Sequence, residues 1–379
     1  MTEDLLFLLM RLGLGNSSVR DESCEALSSL DAVGWKALID LAFEQGMASV
    51  AVDGLGFAHD NDGSTSLTTS SDNDNQEGLD LLDSLELEDL KYEWFGSVFQ
   101  DEQENNDQIS VLKEMASRWA EEGCRMMLMK GQAAALYYPV PSHRTTGDID
   151  CYFLGDYDKA NTVAEKAGAT VDTHWYKHSQ IHYKGEMFEN HQYFVHTRDG
   201  KRGKLLNATL CSLLEGVSYK TFPDSQILLP PVMFNALFLT YHALAHFLAE
   251  GMRLKQVVDW AMFLKAEQDN IDWDKFYALC RTFHLKRFVD VMNDIAVHKL
   301  GVKVQNPVIE TDSPYTDKVL HSIFHDKDFV FGSGKSGWAN RLHLVTNLFK
   351  YSWKYHQIYQ DSILKQLWYY ASGFIFKTE

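Results

Sequence analysis

Residues 126–154 constrain what this chain can fold into more than any other stretch. Met126-Met-Leu-Met129 is a short apolar run of buried-strand type. Lys130-Gly131 ends it, and Gln132-Ala-Ala-Ala-Leu-Tyr-Tyr138 opens a helix that Pro139 closes. A loop through Pro141, His143 and Arg144 leads to Gly147, and Asp148-Ile-Asp-Cys-Tyr-Phe-Leu154 alternates as a strand does. The neighbouring pattern extends this unit. Residues 107–123 predict a helix with Ile109, Leu112, Met115, Ala116 and Trp119 on one face. Residues 156–168 predict a second helix and 169–172 a strand. His182-Tyr-Lys and Met187-Phe-Glu-Asn-His191 read as a hairpin around Gly185-Glu186. The sequence therefore expects a central α/β or α+β unit.

Asp148 and Asp150 stand two apart on an expected strand, so both carboxylates leave one face while Ile149 turns to the core. Carboxylates that close repel unless positive charge lies between them, and a divalent cation is the usual solution. Magnesium takes one or two carboxylates plus phosphate oxygens, which a strand-borne Asp-x-Asp can supply. Glu189 is the best third carboxylate because it follows apolar residues on an expected strand, with Glu186 the runner-up. Upstream, Gly131 lets a phosphate approach the backbone. The amides that open the next helix, at Gln132 onward, attract anions, and Lys130 adds a point charge.

The block Leu128-Met-Lys-Gly … Tyr138-Pro … Arg144-Thr-Thr-Gly-Asp-Ile-Asp150 resembles a bacterial family of uncharacterised nucleotidyltransferases. That family falls within the DNA-polymerase-beta-like nucleotidyltransferase superfamily. It has a Leu-Lys-Gly turn, an Arg, an Asp-x-Asp and a later Glu-x-His in this order, matched here by Lys130-Gly131, Arg144, Asp148, Asp150 and Glu189-Asn-His191. The stretch from His246 to Asp259 is similar to the family's His … Gly … Arg … Asp. The likeness covers about residues 123–265, with a weaker echo at 35–54. Better-known superfamily members carry Gly-Ser where this chain has Lys130-Gly131-Gln132. The resemblance implies an α+β fold with a nucleotidyltransferase-type mixed sheet, an N-terminal helical segment and a C-terminal helical region. It implies transfer of an NMP group from an NTP, with ATP the expected donor, to an unidentified acceptor with release of pyrophosphate. Mg2+ or Mn2+ would sit on Asp148, Asp150 and Glu189, and Lys130, Gly131, Gln132 and Arg144 would position the triphosphate, with stabilisation of its turn the other role open to Arg144. His246 would hydrogen-bond at the edge of the site, and Lys255 or Arg253 would reach the triphosphate. The alternatives are a catalytically silent nucleotide- or partner-binding protein of the same fold and a phosphotransferase acting at the γ-phosphate.

Composition sets the frame around this unit. The chain has 379 residues and a formal charge of -18. Between Ala58 and Asp107 stand 15 Asp or Glu against one Lys, so most of the negative charge is local. Global charge therefore gives no strong duplex nucleic-acid signal and excludes little else. Expected boundaries are a helical segment 1–57, an acidic, partly disordered insertion 58–107 in which the acidic-apolar stretch 79–99 reads as a helix or a docking segment, the core 108–228 and a helical region 229–379. In the last region, helices are expected near 233–249, 253–266, 273–283, 285–300 and 313–324, the last with Ser313 as N-cap. No run was expected to reach the roughly 18 apolar residues of a membrane span, and the acidic N-terminus does not read as a signal peptide. The expectation is a cytoplasmic protein with reduced cysteines. His242 and His246 lack an evident third zinc ligand. Tyr137 and Tyr138 read as core packing, Lys255 and Asp259 as a helix ion pair, and His174, His178, His182, His191 and His196 as polar faces of strands and a loop. The aromatic tail, residues 338–376, reads as core or as a self-association surface for a homo-oligomer.

Overall fold

The computed structural model describes residues 2–55, 88–196, 200–249, 251–326 and 346–365. At its centre is a five-stranded mixed sheet of β1 (Met127–Leu128), β2 (Ile149–Tyr152), β3 (Thr170–Asp172), β4 (His178–Tyr183) and β5 (Glu186–His191), in the order β1-β2-β5-β4-β3. Only β2 and β5 run parallel; the other three pairings are antiparallel. The strands are shorter at both ends of the sheet than their apolar runs suggest. Asp148 stands one residue before β2, and Glu186 opens β5 while Lys184-Gly185 make the turn.

Strand alternation gives the sheet two different faces. Ile149, Cys151, Ile181 and Phe188 point to one side and are buried there. They pack against α5 (Glu88–Glu121) and α7 (Tyr157–Lys166) through Leu112, Met115, Trp119, Ala160, Val163 and Ala164. The Trp119 ring meets Phe153 and Phe188 edge-on at 4.7 and 5.5 Å, and its Nε1 donates to the Ala160 carbonyl at 2.9 Å. Asp150, Glu189, His191, His178 and Gln180 point to the opposite side, where the chemistry lies.

The N-terminal helices α1 (Thr2–Gly13), α2 (Arg20–Ser28), α3 (Ala32–Glu44) and α4 (Ala48–Asp53) share one large core with the C-terminal helices. The chief C-terminal members are α9 (Val232–Ala249) and α10 (Leu254–Glu267), which follow α6 (Gly131–Ala135) and α8 (Lys201–Ser212) in the chain. The sheet joins this core where Tyr152 packs on Phe194, which in turn packs on Phe234. Helix α9 is long and apolar enough for a membrane span by length and composition alone, where no such run was expected, but 56% of that window is buried in this fold, as in a core helix.

Helix α5 is the largest departure from the expected organisation. It runs through the boundary expected at 107, and residues 88–107 form its first half. Trp94 and Val98 are buried, and Trp94 Nε1 donates to the Ala48 carbonyl at 3.0 Å, so an acid-rich exterior hides an anchored inner stripe. Two C-terminal details also differ. The expected helix 285–300 is α-helical over Lys286–Asp294 and then π-helical over Ile295–Lys299. The last expected helix starts at Thr316 rather than after Ser313, because the Asp294 carboxylate takes the Ser313 amide and the Thr316 hydroxyl. In the described part of the tail, Leu348, Tyr355 and Ile358 are buried. Residues 58–87 and the remainder of the tail lie outside the described residues.

Candidate active site

The site follows from the register of the one parallel strand pair. Asp150 lies opposite Glu189, and neighbouring residues on paired strands share a face. Asp148, just ahead of β2, completes a trio whose carboxylate oxygens lie within 4.8 Å of one another. Burial, followed by the charge of Asp150, raises the Asp148 pKa. Burial works the same way on Asp150, but Lys130 and His191 outweigh it and hold that carboxyl well below the ordinary carboxylate range.

Lys130 reaches Asp150 because of the turn that carries it. Lys130 and Gly131 both have φ of 44°, a left-handed pair that turns the chain sharply after β1. With ψ at -153° Lys130 lies outside the left-handed helical well, and at a lysine this conformation costs about 1–3 kcal/mol, a strain that the surrounding contacts hold in place. Lys130 Nζ lies 2.7 Å from Asp150 Oδ2 and 3.3 Å from His242 Nε2. Burial alone would lower the lysine's pKa; Asp150, Asp148 and Glu189 together hold it above the ordinary value. His191 Nε2 meets the other Asp150 oxygen at 2.8 Å and Glu189 at 3.5 Å, and His178 Nε2 meets Glu189 at 3.3 Å. His178 is pushed down to about 4, first by burial, and stays neutral near pH 7.

A cavity of about 190 Å³ opens beside this cluster, between the β1–β2 end of the sheet and helices α9 and α10. Lys130, Gly131, Asp148 and Asp150 form one wall, and His242, His246 and Lys255 stand on the other. His246 Nε2 lies 3.1 Å from His242 Nε2, so His246 continues the chain of contacts from Lys130 to the cavity. Lys255 Nζ has the Thr145 carbonyl at 3.5 Å, and among the described residues no carboxylate lies within 4 Å of it. Burial, with the charge of Arg144, pushes the Lys255 pKa down to about 8.

Two expected phosphate contacts are engaged elsewhere. Arg144 lines the cavity, but its Nε and Nη2 donate to both oxygens of Asp259 at 2.7 and 2.8 Å, and Tyr138 donates to the same carboxylate at 2.7 Å. Arg144 therefore ties the loop before Asp148 to α10. Asp259 is taken by this arginine rather than by Lys255, correcting the expected helix ion pair. The Gln132 side chain turns away from the cavity and donates to Asn105 and Gln108 on α5 at 2.8 and 2.9 Å. Those two amides in turn hold the carbonyls of Ser142, Arg144 and Gly147. The anion-binding helix expected at 132–138 is also reduced to Gly131–Ala135, little more than one turn.

The structure brings Lys130, Gly131, Asp148, Asp150, Glu189, His246 and Lys255 together around one end of the sheet. From the residues alone His178 and His191 read only as polar strand faces, and Asp259 gives no sign that it is the partner of Arg144. Alternation offered a signal for one of them, since Glu189 and His191 at i and i+2 share a strand face. The trio Asp148, Asp150 and Glu189 offers oxygen atoms only, which suits a hard cation such as Mg2+ or Mn2+. His178, Glu189 and His191 form a second grouping within 4.8 Å that shares Glu189.

No curated protein and no solved structure matches the chain. The family described as uncharacterised nucleotidyltransferase matches residues 31–301. That range takes in the N-terminal helices from α3, the whole sheet and the helices that wall the cavity, and the chain belongs to this family.

Proposed function

We propose that the chain is a metal-dependent nucleotidyltransferase that uses a nucleoside triphosphate, with ATP the first to test. The observation that carries this reading is the Asp150–Glu189 register. It sets three carboxylates within 4.8 Å at the edge of a cavity that also holds Lys130 and Lys255. Asp148, Asp150 and Glu189 would hold Mg2+ or Mn2+, which when bound supplies positive charge to the phosphate oxygens. Lys130 adds fixed positive charge beside Asp150, and Lys255, with no carboxylate within 4 Å among the described residues, offers its ammonium to the triphosphate. An acceptor oxygen bonds to the α-phosphorus as the bond to the pyrophosphate oxygen breaks. Pyrophosphate leaves with that electron pair, and the acceptor's proton passes to the carboxylate cluster. Arg144 acts at one remove, by fixing the Asp148 loop against α10.

One observation favours a second reading. Lys130 and His191 already meet both oxygens of Asp150, so the protein balances that charge itself, as a catalytically silent nucleotide-binding member of the family would. Incubation with α- and γ-labelled ATP, Mg2+ and cell extract separates the readings. Transfer of α-label with pyrophosphate release, lost in an Asp148→Ala, Asp150→Ala variant, supports nucleotidyl transfer. Transfer of γ-label with ADP release indicates a phosphotransferase, and label transfer that survives in the variant sinks the mechanism.

A further inference from the structure

The flank of Glu189 opposite the cavity carries a second set of groups. Strand order runs β2, β5, β4, so the sequence across the sheet is cavity, Asp150, Glu189 and then His178 at the start of β4. The segment that leads into β4 presents Trp175, 55% exposed, with its ring stacked on His178 at 6.3 Å and 24°. The open face of this ring can stack on a planar partner, and the ring joins the active site through His178, which touches Glu189 at 3.3 Å. Between them stands Lys177. Its carbonyl accepts from the amides of Gln192 and Tyr193 at 2.9 and 3.0 Å, which pins its backbone to the end of β5. Burial and the charge of Lys130 lower the Lys177 pKa, against the pull of Asp150, Glu189 and Asp148, and among the described residues no carboxylate lies within 4 Å of its ammonium. Tyr176 stacks on Tyr193 at 5.0 Å and 19° and stiffens the segment from behind.

We propose that Trp175, Lys177 and His178 form the acceptor subsite, and that it takes a nucleotide unit: a planar ring against Trp175 and a phosphate against Lys177. An aromatic face accepts any base, and a lysine with no carboxylate within 4 Å among the described residues keeps its ammonium open to a phosphate. A ligand held there lies next to Glu189, across the carboxylates from the triphosphate cavity, as the second substrate of a transfer reaction must. This assignment rests on the nucleotidyl-transfer reading for the word acceptor, but the binding it states is separately measurable.

The test is calorimetric titration of the full chain with AMP, with a short 5′-phosphorylated oligoadenylate, with adenosine and with ribose 5-phosphate. Trp175→Ala is expected to weaken AMP about tenfold and leave ribose 5-phosphate unchanged. Lys177→Met is expected to weaken AMP and ribose 5-phosphate and leave adenosine unchanged. Oligoadenylate bound more tightly than AMP identifies a strand end as the source of the unit, and equal affinity identifies a free nucleotide. AMP affinity that is unchanged in both variants, or that falls only in Lys255→Met, overturns the proposal. Circular dichroism of each variant verifies folding, which the exposure of Trp175 and the retained stem at position 177 favour. AMP binding that depends on Trp175 and Lys177 without any label transfer would sink the reaction and keep the subsite; label transfer with AMP binding independent of both would sink the subsite alone.

Discussion

Replacing Lys255 with Met should stabilise the protein and cripple nucleotide binding together. The ammonium sits in the cavity wall with only the Thr145 carbonyl at 3.5 Å, and its pKa falls from 10.5 to about 8, chiefly through burial. At ~1.4 kcal/mol per pKa unit this corresponds to about 3 kcal/mol against the charged form, reduced to about 2 kcal/mol by water at the cavity mouth. The sign follows from proton counting. Below about pH 8 the folded chain holds the charged lysine and carries the full cost. Between about 8 and 10.5 the unfolded chain binds more protons than the folded one, so wild-type stability rises with pH there. Methionine keeps the apolar stem and removes the charge. Urea unfolding at pH 7 should therefore show Lys255→Met about 2 kcal/mol more stable, with the gap shrinking toward zero by about pH 10. Nucleotide affinity at pH 7 should fall about tenfold or more, the loss of one charge-assisted contact. A variant that is less stable at pH 7, or a gap that does not change with pH, refutes the reasoning.

Arg144→Ala should cost about 3 kcal/mol or more because it strands the buried Asp259 charge, and adding Asp259→Asn should recover part of that loss. Strictly additive losses in denaturant titrations would show that the two residues do not act as a pair. Tyr138→Phe should cost about 1 kcal/mol, the net worth of one hydrogen bond, and an unchanged unfolding midpoint would refute it. His143 bridges Asp53 at 2.8 Å and Glu102 at 3.0 Å; burial opposes its charge, but the two carboxylates raise its pKa above 6.5. Its stabilisation is complete below pH 6.5 and is lost as pH rises through the raised folded value. The stability difference between wild type and His143→Asn should accordingly shrink from pH 6 to pH 9; a constant difference would argue against charge on that histidine.

What the sequence disclosed depends on how far apart the interacting residues stand. Asp148, Ile149 and Asp150 are legible because a two-residue period decides their faces locally, and Glu189 because apolar residues precede it on its own strand. Which strand lies beside β2 is a long-range choice, so the Asp150–Glu189 pairing and the contact of His191 with Asp150 emerge only in the folded chain. Arg144 reads from sequence as a cation for phosphate or for steadying its own turn, with no partner named. Its partner Asp259 lies 115 positions away, and that distance hides the clamp. Gln132 was misjudged for the same reason, since Asn105 and Gln108 claim its amide from a helix before β1. The first half of α5 stays open in sequence between a helix and a docking segment because it is acid-rich outside and holds only a sparse buried stripe, at Trp94 and Val98, that composition averages away. The long helices α9 and α10, whose apolar faces repeat over several turns, fall within a residue or two of expectation.

The most direct test of the carboxylate trio is a titration with Mn2+, read by electron paramagnetic resonance, of the full chain and of Glu189→Gln and Asp150→Asn. Ligands brought together by strand register predict binding in the wild type that each substitution weakens roughly tenfold or more. The far-ultraviolet circular dichroism of the variants should stay that of the wild type. Equal Mn2+ affinity in wild type and Glu189→Gln would contradict the account, because the third carboxylate would then be no part of the metal site.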